Sequence, residues 1–525
     1  MGYADIREWI NALEGEGLCK RVKTMVDWND EMGGVIRVSM ALQGPALLFE
    51  NIKDYDKGDV WGRKVFSAGL ASFQSVNLLL NLPKEMDVPD VVRYCKEKFR
   101  QRVTPITVST GPVKQNKVKG NDVDLKKFPI PKIHHLDGGR YINTFCGVIT
   151  KDPDTNWENV GLYRGMLINK RSIAKLIAKS QHIGQTFAKY QERKQKMPIA
   201  IAYGYSDIMP TIACLPIPRG VSEWEIMGAF SGEPVQLVEC EDVDLRVPAN
   251  AEIVVEGYVD PDPSTYVMEG PFGEYTGWYG GGASPKPVVE VTCVTFRDDA
   301  ILRVGIEGIR PGTLNEDYYI TNTMLAGLLW YYLEECGVPG VTDVAIAPYS
   351  AGTTVFVQIH KLYRGHAKQV ANALWGCGPL LQWFAKTVMV VEEDVDIRDP
   401  DHLVWAFDYR VNADPSVHDL IIMPGCGGSL LDPSTRREER DAILYGTGKW
   451  ARLLIDATRN WDYPRWEDWN NQVYPPLNKL AVDIEKKIKE RWNQYDLGIP
   501  YLNDKQKELL TMEKLMKIIP SIGTR

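Results

Sequence analysis

VVEVTCVTFRDDAILRV, residues 288–304, is the stretch on which the fold reading turns. Val288–Phe296 is dense in β-branched residues, which pack well on a pleated surface and poorly in a helix. Arg297-Asp298-Asp299 interrupts the apolar pattern before Ala300–Val304, as the turn of a hairpin would. The same composition returns at Ile253–Val259, and β signals dominate from about residue 140 to about 310. Two helices are predicted inside this region, near Arg171–Arg193 and near Val221–Phe230. Short strands and turns at this spacing predict a closed or split β-barrel.

Toward the N-terminus, Asp5 is a predicted cap for a helix carrying Ile6, Trp9, Ile10 and Leu13 on one face and stopped by Gly15 and Gly17. A second helix is predicted at Val91–Phe99. Residues 111–139, rich in Pro, Gly and Lys, read as a solvated connector, its basic charge broken by Asp122, Asp124 and Asp137. Toward the C-terminus, a helix at Asn322–Glu335 precedes Asp343–Ala347, Thr353–Ile359, Ala367–Leu374 and Thr387–Val391, a strand–helix alternation that implies a separate α/β domain. Charged helices at Asn478–Trp492 and Asp504–Ile518 complete the chain. The expected class is α+β and multidomain: an N-terminal α/β domain (1–110), a split β-barrel (111–310), a linker helix (311–335), a C-terminal α/β domain (336–470), and a helical tail (471–525) that docks on a partner subunit.

Composition narrows the function classes. At roughly 150 residues per domain, 525 residues predict three or four domains. With 44% hydrophobic and 25% charged residues, the chain is neither disordered nor fibrous. A formal net charge of −8 argues against a general nucleic-acid binder. The first residues lack the basic and apolar segments of a secretory signal, and no apolar run reaches membrane-spanning length. Nine cysteines without a C-x-x-C pair read as reduced thiols, so a cytoplasmic protein without membrane contact is expected. GTGKW at 446–450 fails as a phosphate loop, because Trp450 stands where Ser or Thr would hold Mg²⁺. The His134-His135 pair reads as packing rather than a metal site, since adjacent residues on a strand point to opposite faces.

Four segments hold polar groups that a β-rich core rarely needs. NVGLYR (159–164) presents Asn159 and Arg164; SQHIGQ (180–185) presents Gln181 and His182; LPIPRGVSEWE (215–225) presents Glu223. MEGPFGEYTGWYGGG (268–282) places Glu269 and Glu274 around Pro271 and Gly273. Two carboxylates on a glycine-rich turn near an arginine form a possible acid/base relay, one held ionised and the other pushed toward neutrality. Taken singly, each also reads as surface charge or capping.

Taken together, in this order and spacing, NVGLYR, QHIGQ, LPIPRGVSE and EGPFGE resemble the UbiD family of reversible (de)carboxylases, and the chain's length leans toward its aromatic, hydroxyarenecarboxylate branch. The likeness extends to GEGL in the opening helix, DGGRYI (137–142), VPANAEIVVEG (247–257), VEEDVDI (391–397) and IDATRNW (455–461). The resemblance implies prenylated FMN in the split barrel, with Mn²⁺ or another divalent metal on Asn159, His182 and Glu223. It implies K⁺ on Glu223 and carbonyls near Val160, Ala213 and Leu215, and cofactor contacts from Gly161, Gln181, Ala213, Cys214 and Leu215. Arg164, Glu269 and Glu274 would be catalytic: Arg164 pairing with the substrate carboxylate and Glu269, Glu274 delivering the proton that replaces CO₂. The implied reaction is reversible non-oxidative decarboxylation of an aromatic or heteroaromatic acid. Arene carboxylation, decarboxylation of an α,β-unsaturated acid, and a catalytically silent carboxylase subunit are the alternatives. An ordinary FMN oxidoreductase is a further rival. A flavin prenyltransferase would supply the cofactor, and a homodimer or homohexamer is expected. Tyr163, Trp278 and Tyr279 lie near the catalytic residues in sequence, as pocket or as core.

Overall fold

Val288–Phe296 is the longest strand of a nine-stranded sheet. The computed structural model describes residues 2–307, 314–376, 384–440, 446–478 and 480–498. The main path of this sheet runs Tyr141–Asn143, Gly165–Asn169, Ser172–Lys175, Val288–Phe296, Ile253–Val259, Met197–Tyr203, Gly147–Lys151, Glu158–Gly161, every pair antiparallel. Asn116–Lys119 adds the ninth strand alongside Val288–Phe296. The two end strands of the path do not pair, so the sheet curls into a half-barrel and stays split. Curling is helped by a bulge at Glu256/Gly257. A Cβ on Gly257 would come 2.1 Å from Glu290 O, so only glycine permits that approach. Both faces are buried: Ile199, Ile201 and Val255 join one hydrophobic core, while Ala200, Ala202 and Val254 join the other.

Three sequence expectations are corrected here. Ala300–Arg303 does not form a hairpin with Val288–Phe296. It leaves that sheet and pairs in parallel with Gly62–Ser67, completing a four-stranded sheet with Cys19–Val22 and Ala46–Phe49. The turn is real, with Asp299 left-handed at φ 52°. However, both edges of Val288–Phe296 are already occupied, one by Ile253–Val259 and the other by Ser172–Lys175 and Asn116–Lys119. The helix expected over Arg171–Arg193 begins only at His182, because Ser172–Lys175 is claimed by strands on both sides. Residues 111–139 are not a solvated connector: Val113, Val123, Leu125, Phe128 and Ile130 are buried, while Lys117 and Lys119 on its outer side pair with Glu241 and Asp242.

The opening helix, Ile6–Gly15, follows the reading: Asp5 accepts from the Arg7 and Glu8 amides, and Ile6, Trp9, Ile10 and Leu13 are buried. After the barrel, Glu316–Ile320 runs into Ala326–Glu335 through a widened π-type turn at Thr321–Leu325. A five-stranded sheet follows, ordered Val341–Ile346, Thr354–Ile359, Thr387–Glu392, Gly448–Asp456, Leu420–Gly428. By internal contacts the chain divides into two units, Met1–Thr458 and Arg459–Arg525. Within the second, Val482–Arg491 is a helix with no buried residue, and the helix expected at Asp504–Ile518 lies outside the described residues. Among the described residues no helix is long and apolar enough to cross a membrane.

Candidate active site

A cavity of about 220 Å³ opens inside the first unit, lined by the end of strand Glu158–Gly161, the start of helix His182–Arg193, the end of helix Ile208–Ala213 and the start of helix Glu223–Ser231. Asn159, Gly161, Gln181, His182, Ala213, Cys214, Leu215 and Glu223 all line it, as do Arg164 and Glu274. Residues read from four separated segments thus converge.

At one end, Asn159 Nδ2 donates to Glu223 Oε1 at 2.8 Å, and the Val160 amide donates to Oε2 at 3.2 Å. Tyr163 Oη donates to Asn159 Oδ1 at 3.0 Å, which fixes the amide orientation. Burial pushes the Glu223 carboxyl up to about 8 against these hydrogen bonds. Burial, with Arg219 nearby, lowers the His182 imidazole to about 4, so the ring is neutral at physiological pH. His182 Nε2 and Gln181 Oε1 are buried with no hydrogen-bond partner. A neutral imidazole with a free nitrogen, a carboxyl group and an amide oxygen form a donor set suited to an octahedral divalent cation. Among the described residues, no group of three or more His, Cys, Asp or Glu side chains gathers as a conventional metal cluster. His134 and His135 form no such site: His134 Nδ1 contacts Asp137 and its Nε2 meets Glu307 O at 2.8 Å, whereas His135 reaches outward to Asp30.

At the other end, Arg164 Nη2 donates to Glu269 Oε2 at 2.8 Å and pairs with Glu274. Glu269 lies behind the cavity wall and is fully buried, Tyr141 Oη donating to its Oε1 at 2.7 Å. The loop carrying both glutamates is clamped by the DGG segment. Asp137 Oδ1 accepts from the Gly273 amide, the Gly138 amide donates to Pro271 O, and a Cβ on Gly138 would lie 2.0 Å from Gly270 O. Of the aromatic candidates, Tyr163 lines the cavity, while Trp278 is 65% exposed and Tyr279 is spent on the Leu136 amide. Tyr275 lines it instead.

Four residues with no sequence signal complete the surroundings. Tyr141 stands in DGGRYI without a role legible in the string. Lys175 is fully buried and donates from Nζ to Tyr163 O. Glu307 and Asp317 stand in the cavity wall.

Comparison with known proteins covers most of the chain. Family models described as the N-terminal, Rift-related and C-terminal domains of 3-octaprenyl-4-hydroxybenzoate carboxy-lyase match residues 10–95, 106–310 and 318–457. A pyrrole-2-carboxylic acid decarboxylase of Pseudomonas aeruginosa is 29% identical over 517 residues, 94% of this chain and 98% of the relative. An uncharacterized protein of Archaeoglobus fulgidus is 31% identical, over 94% of this chain and 99% of its own. Among solved structures, the vanillic acid decarboxylase of Sedimentibacter hydroxybenzoicus in closed form superposes with a TM-score of 0.82 at 29% identity, covering 94% and 99% of the two chains. The UbiD-class enzyme HmfF of Pelotomaculum thermopropionicum, in complex with FMN, gives 0.73 at 29%, covering 91% and 99%. Matched in order by all three domain models, the chain belongs to the UbiD family.

Proposed function

We propose that this protein is a non-oxidative decarboxylase of an aromatic or heteroaromatic carboxylic acid that works with prenylated FMN. One observation carries the reading: a single cavity has a buried arginine–diglutamate group at one end and a buried Asn–His–Glu set, with an unpartnered imidazole nitrogen, at the other. Asn159, His182 and Glu223 would hold Mn²⁺ or another divalent ion at the cofactor phosphate. Glu223, with carbonyls near Val160, Ala213 and Leu215, would hold K⁺. Gly161, Gln181, Ala213, Cys214 and Leu215 would contact the flavin. When bound, the prenylated flavin supplies the electron sink for C–C cleavage, which no side chain in the cavity can supply.

The chain's own residues do the rest. Arg164, anchored by Glu269, sets the substrate carboxylate against the site and fixes the ring's orientation. Tyr141 holds Glu269 so that the guanidinium cannot swing away. Glu274, on the cavity wall, takes up one proton and delivers it to the ring carbon that loses CO₂. Leu162, Leu176, Phe384 and Leu431 line the cavity and exclude water from that carbon. The same steps reversed carboxylate an arene at high CO₂.

Around the reaction, we infer a flavin prenyltransferase as supplier of the cofactor. We infer a homodimer or homohexamer assembled through the tail from residue 471, and a cytoplasmic location consistent with eight described cysteines that are all unbridged. The domain limits at 110, 310, 335 and 470 are proposed on the same reading. The test is Glu274→Gln in protein loaded with prenylated FMN. CO₂ release should fall by orders of magnitude while flavin absorbance and metal content stay at wild-type level. A near wild-type rate would remove Glu274 from the proton relay.

A further inference from the structure

Two carboxyl groups in the cavity wall have no part in the reaction described above. Glu307 follows the strand Ala300–Arg303, and Asp317 sits in the first turn of helix Glu316–Ile320. Both line the cavity, as do Ile320 and Thr321. Burial pushes Glu307 up to about 8, with Asp317 adding to the rise and Arg164 opposing it. Burial likewise pushes Asp317 up to about 7.

Neither group is explained by the fold. The neighbouring Glu316 shows what a structural acid looks like here, bonded to Arg303 and to the Leu70 amide. Asp317 instead turns into the cavity with one side-chain donor, Asn315 Nδ2 at 2.8 Å. Among the described residues, the Glu307 carboxyl has no hydrogen-bond donor, and the nearby guanidinium of Arg164 is committed to Glu269 and Glu274. Once ionised, a carboxyl pair in this wall repels anions and leaves its oxygens unsatisfied against an unsubstituted ring.

We propose that Glu307 and Asp317 select the substrate, so that the aromatic acid taken by this cavity carries an O–H or N–H donor on its ring. The proposal rests on the decarboxylase reading for the identity of the ligand as an aromatic acid. A phenolic hydroxyl and the N–H of a pyrrole-type ring share the donor chemistry. A second carboxylate on the ring is repelled by the same two groups once they are ionised.

The test uses holoenzyme made with a flavin prenyltransferase and two readouts, equilibrium binding by calorimetry and CO₂ release. The ligands are benzoate, 3- and 4-hydroxybenzoate, their methoxy ethers, pyrrole-2-carboxylate and terephthalate. At pH 8.5, above the values near 8 and 7 to which burial raises the two carboxyls, at least one donor-bearing acid should bind ~10- to 100-fold tighter than benzoate, the worth of a hydrogen bond to a charged group. Methoxy ethers and terephthalate should gain nothing. Hydroxybenzoates against pyrrole-2-carboxylate then tell which donor fits. In Asp317→Asn and Glu307→Gln, checked for an unaltered flavin spectrum, the preference should shrink about tenfold, because one hydrogen bond to a charge becomes one to a neutral amide.

Equal binding of benzoate, ethers and hydroxy acids, tight binding of terephthalate, or an undiminished preference in both variants overturns the proposal. CO₂ release from benzoate as fast as from its hydroxylated relatives leaves the decarboxylase standing and removes the selection. Donor-selective binding with neither CO₂ release nor ring hydrogen–deuterium exchange does the reverse.

Discussion

Replacing Lys175 by methionine should flatten the pH dependence of the protein's stability. Lys175 ends the strand Ser172–Lys175, is fully buried, and donates from Nζ to Tyr163 O, the carbonyl of the peptide that leads into Arg164. Burial lowers its amine from 10.5 to about 7, although Glu269 pulls the other way. In the unfolded chain the amine stays protonated up to 10.5, and in the folded chain only to about 7. Between those values the unfolded chain binds more protons, so stability rises with pH across that window. Below about 7 the folded protein holds an ammonium in an apolar site, and the full gap corresponds to about 5 kcal/mol. From pH 6 to pH 9 the linkage favours wild type over Lys175→Met by about 2–3 kcal/mol. Cys146, a neighbour of the amine, is pushed up to about 12 by burial and stays neutral throughout. Tyr163 O keeps a second donor, Asn143 Nδ2 at 3.4 Å, so the variant does not strand the carbonyl. Urea unfolding of both proteins at pH 6, 7, 8 and 9, followed by tryptophan fluorescence, reads the difference directly. A wild-type advantage that is flat with pH, or that grows toward acid, would refute the argument.

Three further outcomes are expected. Tyr141→Phe removes one of the two side-chain donors on Glu269, a bond worth about 1.5–3 kcal/mol when the acceptor is charged; kcat should fall ~10- to 100-fold while flavin content is unchanged, and an unchanged kcat would show Arg164 to be held without it. Divalent metal binding at Asn159, His182 and Glu223 should release about one proton at pH 7, because the Glu223 carboxyl near 8 must ionise while His182 near 4 is already neutral. Calorimetry in two buffers of different ionisation enthalpy measures that number, and zero release contradicts the assignment. Arg303→Met leaves Asp207 and Glu316 buried without their cation, which should cost about 3–5 kcal/mol in urea unfolding.

Legibility followed the range of the interactions involved. The helix Ile6–Gly15 was readable because cap and apolar face lie within one short segment. Val288–Phe296 was readable as a strand for the same reason, but its partners were not, because pairing depends on which edges other segments have already taken. The motif residues drew attention as polar groups in a β-rich region, and their family likeness suggested roles. That they line one cavity is a product of the fold. Lys175, Glu307 and Asp317 resemble ordinary surface charges in the string. Their chemistry comes from burial, which long-range packing creates.

The turn at Arg297-Asp298-Asp299 shows how closely fold and site are joined. By leaving the half-barrel, Ala300–Arg303 brings Arg303 into the interior, where it bonds Asp207 through Nε at 2.8 Å and Glu316 through Nη2 at 2.5 Å. Trp9 of the opening helix donates to the same Asp207 at 3.0 Å. Asp207 immediately precedes the helix Ile208–Ala213, whose end forms part of the cavity wall, and Glu316 immediately precedes Asp317. A single buried guanidinium therefore ties the N-terminal helix, the wall near Ala213 and the helix carrying Asp317 into one frame. A hairpin would have left that cation at the end of the half-barrel and the two acids without it. Among the described residues no side chain of the N-terminal sheet lines the cavity, yet through Arg303 that sheet braces the elements on which Ala213 and Asp317 stand.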